Sequence, residues 1–279
     1  MAALNLQAVG AKVGPFEQAY TWKDVALYAL AVGAGSADLS YLLDPTPSVL
    51  PTWGVIPAFE PVFAALDKTG GDLVQLLHSG QRTELVKPFP ASGVMSTTAE
   101  VLGIWDMRVG ALLQIETRTS VAGELHARTV WSLLIRGAGN FESARPPALL
   151  RTKPPKDAAP VYSETWQTSP TQALLYRLTG DVNPIHARPE IAQAAGFERP
   201  ILHGLCSYGF AARVALKQLA GDDPKRFKAF DARFTAPVLP GQTLITSGYV
   251  IEPGKAAVTV LVQETGDLAI ANALFEYEV

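Results

Sequence analysis

His203-Gly204-Leu205-Cys206-Ser207-Tyr208-Gly209-Phe210-Ala211-Ala212-Arg213-Val214-Ala215-Leu216-Lys217-Gln218-Leu219 is the stretch on which the fold turns. Small and apolar side chains cover nearly its whole circumference until Arg213 and Lys217, and a helix without a polar face is a buried helix. Four segments rich in Val, Ile, Thr and Tyr follow it, at residues 231–238, 242–251, 256–263 and 267–279. Pro253-Gly254 and Thr265-Gly266 separate the last three as tight hairpin turns. The expectation is one buried helix with a curved antiparallel sheet wrapped around it.

That arrangement is a hot-dog, and the residues on either side extend it. Ser169 at N-cap and Pro170 at N1 are set to start a helix running through 172–178 and stopping near Gly180. After a loop with Asn183-Pro184, a short helical piece spans 189–195 and ends at Gly196. The first half repeats the order. Pro57 precedes the apolar helical segment 62–66, as Pro200 precedes His203. Leu85-Val-Lys-Pro88-Phe-Pro90 parallels Phe234-Thr-Ala-Pro237-Val-Leu-Pro240, and strand-like segments follow at 94–105, 111–119 and 124–135. Tyr28 and Leu30 match Tyr176 and Leu178. The predicted fold is α+β, a double hot-dog. Residues 1–144 form an N-terminal repeat and residues 161–279 a C-terminal one. Between them, 145–160 is a linker stiffened by five prolines.

Composition narrows the function classes. The 279 residues are 48% apolar and 18% charged, which excludes disorder and predicts a large core. A net charge of −3 argues against a nucleic-acid-binding face. The single Cys206 excludes a disulfide framework and a Cys-cluster metal site. No apolar run reaches the length of a membrane span, and no secretory leader is read at the N-terminus. The expectation is a cytoplasmic protein with neither membrane nor nucleic acid as partner.

The chemistry concentrates in Gly180-Asp181-Val182-Asn183-Pro184-Ile185-His186. Gly-Asp and Asn-Pro are ordinary turn starters, and taken alone the segment reads as a loop. Its company favours more. A carboxylate and an imidazole lie five positions apart on a proline-stiffened loop, and a buried helix begins soon after at His203-Gly204. Asp181 and His186 can deprotonate a water and deliver a proton to carbon. Asn183 can orient them or the water, and the amides opening the helix can stabilise an enolate oxygen. Gly204 leaves that approach open. The reaction suited is addition of water to a carbonyl-activated double bond.

Tyr176-Arg-Leu-Thr-Gly180-Asp181-Val-Asn183-Pro184-Ile-His186 resembles the signature of the R-specific type 2 enoyl-CoA hydratases, the MaoC-like dehydratases. The resemblance continues through Ala195-Gly-Phe-Glu-Arg-Pro200-Ile-Leu-His203-Gly204-Leu, Phe227-Lys-Ala-Phe, Ala232-Arg-Phe and Pro240-Gly-Gln-Thr. Leu77-His78-Ser-Gly80-Gln81 and Lys87-Pro88 in the first half are similar to the two-repeat members. It implies reversible hydration of trans-2-enoyl-CoA to (R)-3-hydroxyacyl-CoA, with no metal and no cofactor beyond the CoA of the substrate. It assigns Asp181 and His186 as the catalytic pair, Asn183 as their hydrogen-bonding partner and the Gly204 amide as oxyanion donor. Ser207 and His203 join them as substrate-side residues, Ser207 in support of the aspartate. Val182 departs from the pattern, since relatives often carry an aromatic there. The acyl-CoA thioester is the expected partner. A homodimer is entertained as the assembly.

Opposite the loop, the first half has Val32-Gly33-Ala34-Gly35-Ser36-Ala37-Asp38 and no histidine. One active site per chain is expected, with the N-terminal repeat accommodating the acyl chain. Small residues at 31–37 suit either that purpose or tight helix packing. His78 and His126 read as structural or surface histidines, His78 with a route to the pocket. His203 reads first as a packed, hydrogen-bonded helix start. Arg82, Lys87, Arg199, Arg213 and Arg233 stand unranked as cations for the CoA phosphates. Asp181-x-Asn183 lacks the remaining ligands of a calcium loop, and Gly33-x-Gly35 lacks the third glycine of a dinucleotide fingerprint. Two rival functions remain, a hot-dog thioesterase and a non-catalytic acyl-CoA-binding protein.

Overall fold

The computed structural model describes residues 4–147 and 152–279. The first half runs β1 (Lys12–Tyr20), α1 (Trp22–Ala31), α2 (Phe59–Thr69), β2 (Leu76–Leu85), β3 (Gly93–Asp106), β4 (Gly110–Val121) and β5 (Glu124–Arg136). The second runs β6 (Tyr162–Gln167), α3 (Gln172–Tyr176), α4 (Pro189–Ala194), α5 (Gly204–Ala220), β7 (Phe227–Phe234), β8 (Thr243–Glu252), β9 (Lys255–Val262) and β10 (Leu268–Tyr277). All ten strands join one antiparallel sheet, in the order β1-β3-β4-β5-β2-β7-β10-β9-β8-β6. Counted inward from each edge, the halves have the same strand order. They meet where β2 pairs with β7, Gly80 opposite Arg233 and Glu84 opposite Ala229. This is a double hot-dog with α2 and α5 as its central helices.

α5 forms as its composition dictates. Of its 17 residues only Lys217 and Gln218 are exposed, and it packs on β7, β8, β9 and β10. Gly221, at φ +64°, ends it in the left-handed conformation that glycine adopts without penalty. α2 is amphipathic instead, burying Phe59, Val62, Ala65 and Leu66 beneath β1, β3 and β4. A single apolar core runs through both halves.

Several boundaries differ from those expected. The helix expected from Ser169 begins at Gln172, because the Ser169 hydroxyl bonds the Thr171 amide and hydroxyl in a local turn. It gives way at Arg177 to a 3-10 turn. β7 runs four residues ahead of 231–238, using the alternation in Phe227-Lys-Ala-Phe and stopping before Pro237. Thr265-Gly266 sits in a longer loop, since β9 ends at Val262 and β10 starts at Leu268. The described part of the proline-rich run, 145–147 and 152–160, contains neither helix nor strand, and 148–151 lie outside the described residues.

Of the small residues at 31–37, the buried ones at 31–34 serve packing, while Ser36 and Ala37 are exposed. A Cβ on Gly33 would stand 2.1 Å from the Phe210 ring, and one on Gly209 would stand 2.4 Å from Val32. The carbonyl of Ala31 accepts from Gln172 Nε2 at 2.7 Å, and that of Val32 from Arg213 Nε at 3.1 Å. A buried ion pair of Arg213 with Asp38 at 3.3 Å completes this seam between the halves. None of these residues lines the large cavity, so the acyl-chain use considered for them is not realised there.

Candidate functional site

Gly180, at φ +134°, ends the 3-10 turn and releases the chain into the loop. There the Asn183 amide donates to Asp181 Oδ1 at 3.2 Å, and Asn183 Oδ1 accepts from the Ile185 amide at 3.2 Å. Pro184-Ile185-His186 form a second 3-10 turn, with proline at the position where its missing N–H costs nothing. One asparagine thus holds the carboxylate through its backbone and shapes the turn through its side chain. That turn carries His186, whose Nδ1 lies 2.9 Å from the Ile201 carbonyl oxygen. A carbonyl only accepts, so Nδ1 carries hydrogen and Nε2 is left for chemistry.

Asp181, Asn183 and His186 line a cavity of about 440 Å³ together with Gly204 and Ser207. Burial is the main influence on both titrating groups, raising the Asp181 carboxyl and lowering the His186 imidazole. The charge of each partner opposes the other's shift. Their proton affinities therefore converge, as an acid and a base that exchange a proton require. His203 precedes α5 as its N-cap and is 1% exposed. Its ring is stacked 3.7 Å from that of His186, and its Nε2 is 3.1 Å from the Asp181 carbonyl oxygen. It lies behind His186 rather than on the cavity wall.

The opening of α5 supplies the amides. The first helical bonds belong to Cys206 and Ser207, both donating to the His203 carbonyl. Among the described residues the Gly204 and Leu205 amides have no acceptor. A side chain at Gly204 would meet the Phe234 ring at 3.3 Å, so glycine also lets that ring pack here. One turn further on, Ser207 Oγ is buried and has no partner among the described residues.

Asp181, His186 and His203 also bring ligand-capable atoms within 4.8 Å of one another. The two imidazoles are stacked, 28° between planes, and in that posture their in-plane lone pairs do not converge on one ion.

The rest of the wall is mostly apolar and comes from both halves. Phe59, Val62, Leu77, Trp131 and Leu133 line it, with Phe234 from the second half. His78 is stacked on Trp131 at 4.7 Å and meets Phe234 edge-on at 5.1 Å. Burial pushes its imidazole down to about 4, and it is neutral. Trp131 and Phe234 carry no site signal in the sequence, where His78 has only a route to the pocket. His126, by contrast, is tied to the Pro88 carbonyl at 2.9 Å, away from the cavity. Val182 is 63% exposed and off the wall, so its departure from the motif leaves the cavity unchanged. Of the cations considered for phosphates, Arg213 is buried against Asp38 and beneath Trp166. Arg82 pairs with Glu276, Lys87 with Glu124, and Arg199 donates to the Pro240 carbonyl.

Residues 18–137 match the family of MFE-2 hydratase 2 N-terminal domains, and residues 152–272 match the MaoC like domain. The chain is 38% identical over 256 residues to a probable enoyl-CoA hydratase 2 of Dictyostelium discoideum, covering 88% of this chain and 87% of that protein. It is also 38% identical to the peroxisomal multifunctional enzyme type 2 of Mus musculus, over 95% of this chain and 37% of that longer protein. A crystal structure of a MaoC-like dehydratase from Phytophthora capsici superposes with a TM-score of 0.85 at 31% identity, covering 98% and 96% of the two chains.

Proposed function

Since this chain belongs to the enoyl-CoA hydratase 2 family of two-repeat MaoC-like dehydratases, we propose that it adds water reversibly to trans-2-enoyl-CoA, giving (R)-3-hydroxyacyl-CoA. The observation that carries the reading is the convergence of Asp181, His186 and the unpaired Gly204 amide on one largely apolar cavity. The thioester oxygen sits at the Gly204 amide and the acyl chain runs along the first half's wall. Water, held between Asp181, Asn183 and His186, attacks C3. One member of the pair takes its proton as the double-bond electrons move to the thioester oxygen, and a proton then returns to C2. Water's oxygen and two hydrogens are all accounted for, and no redox step is needed. The proposal therefore invokes no cofactor. A single buried thiol, Cys206, suits the reducing cytoplasm proposed as its setting.

Trans-2-enoyl-CoA substrates from four carbons upward provide the test, following loss of enoyl absorbance and release of free thiol together. The expected result is loss of absorbance, no thiol, and the R alcohol as product. Thiol release would favour a thioesterase, binding without turnover a non-catalytic acyl-CoA protein, and an S product a different geometry. Each would overturn the proposal.

A further inference from the structure

Of the four histidines, the mechanism uses only His186, yet His203 is built into the same site. Its Nε2 can only donate to the Asp181 carbonyl, so the other nitrogen, Nδ1, is bare; it is buried and without a partner among the described residues. Burial, with His186 and Arg177 nearby, pushes the ring down to about 2 and keeps it neutral. One face lies on His186 at 3.7 Å, and the Tyr176 ring is 4.9 Å away. The next residue along the chain is Gly204.

We propose that His203 is a positioning residue that locks the acid–base pair to the oxyanion donor. Its hydrogen bond fixes the backbone of Asp181, and its ring face fixes the plane of His186. The peptide bond to Gly204 sets both against the start of α5. An apolar side chain of the same shape would fill the space but leave the Asp181 carbonyl unpaired. A flexible amide would satisfy the carbonyl but leave the His186 ring free to tilt. Only an imidazole does both. Because the proton must pass to a carbon and the amide must meet the developing oxyanion, a small error in this registry falls on the transition state. The inference rests on the reading of Asp181 and His186 as the catalytic pair.

Two substitutions separate the contacts. His203→Gln keeps a donor at similar reach and removes the ring; His203→Phe keeps a ring and removes the donor. The expected result is a fall in kcat of about 100-fold for Phe and about 10-fold for Gln, with KM for the enoyl-CoA nearly unchanged. In an Asp181→Asn background, His203→Phe costs little more, because the residues act as one unit. A rise in KM at constant kcat, a loss that follows only the folded fraction, or full additivity with Asp181→Asn would overturn the proposal. If His203→Phe does not fold, the kcat-against-KM split of His203→Gln decides by itself. The parent reading fails separately, if the unsubstituted protein does not hydrate or Asp181→Asn alone retains full activity.

Discussion

Ser207 shows what a single buried atom can say. Its Oγ has no partner among the described residues, though it is buried on the first turn of α5 and its residue lines the cavity. A buried, unsatisfied hydroxyl costs stability of about 1 kcal/mol or more unless a ligand completes it. Ser207→Ala is expected to leave the thermal midpoint equal or higher, and to lower kcat/KM about tenfold, the worth of one hydrogen bond. Thermal melts and initial rates on the same preparations check both signs; a lower midpoint at full activity would contradict them. Asp181, Asn183, His186 and Gly204 were legible in sequence because their placement is local, set by two turns and one helix start. His78, Trp131 and Phe234 were not. They meet only through sheet pairing, with a register shift at His78/Gly80 where β2 meets β5 and with β7 on the other side of β2.

At the scale of elements, the contact of α5 with the end of α1 makes a counterintuitive substitution informative. Replacing a mid-helix glycine by alanine ordinarily stabilises by about 0.5–1 kcal/mol. At Gly209 the new Cβ would stand 2.4 Å from Val32. Gly209→Ala should therefore destabilise, by about 1–3 kcal/mol, as overpacking does. Urea denaturation gives the sign directly. The buried helix and the meander after it were readable because composition alone marks them. Three strands were not. β1 contains Gly14-Pro15, tolerated because it is an edge strand with a register shift between Val13 and Phe16. β6 is also an edge, with only Tyr162 of its six residues buried. β2 loses its alternation at the shift beside His78.

On the scale of the molecule, two halves of identical strand order share one sheet, while the pair Asp181 and His186 belongs to the second alone. The first half supplies much of the cavity wall and, through Asp38 and Val32, the brace behind α5. The duplication was visible in sequence as a repeated order of segments, but the fusion into one sheet was not, since the β2–β7 pairing leaves no mark in either strand. The buried histidines tie the fold to pH. Unfolded, His78 titrates near 6.5; folded, it is held to about 4. Well above pH 7 it is uncharged in both states and contributes no pH dependence. As pH falls below 6.5 the unfolded chain takes up a proton that the folded one refuses, so stability drops, by about 2 kcal/mol between pH 7 and 5. His78→Phe should remove that share, giving denaturation midpoints that vary less with pH; equal slopes would contradict the assignment. The central proposal is that Asp181 and His186 share the transfer of water to the enoyl bond. Its most direct test is the initial hydration rate of Asp181→Asn, His186→Gln and the double variant, each verified as folded. Each single change should lower turnover about 10²–10⁴-fold, with the double variant little worse than the poorer single one. A rate near the parent's in either single variant would contradict it.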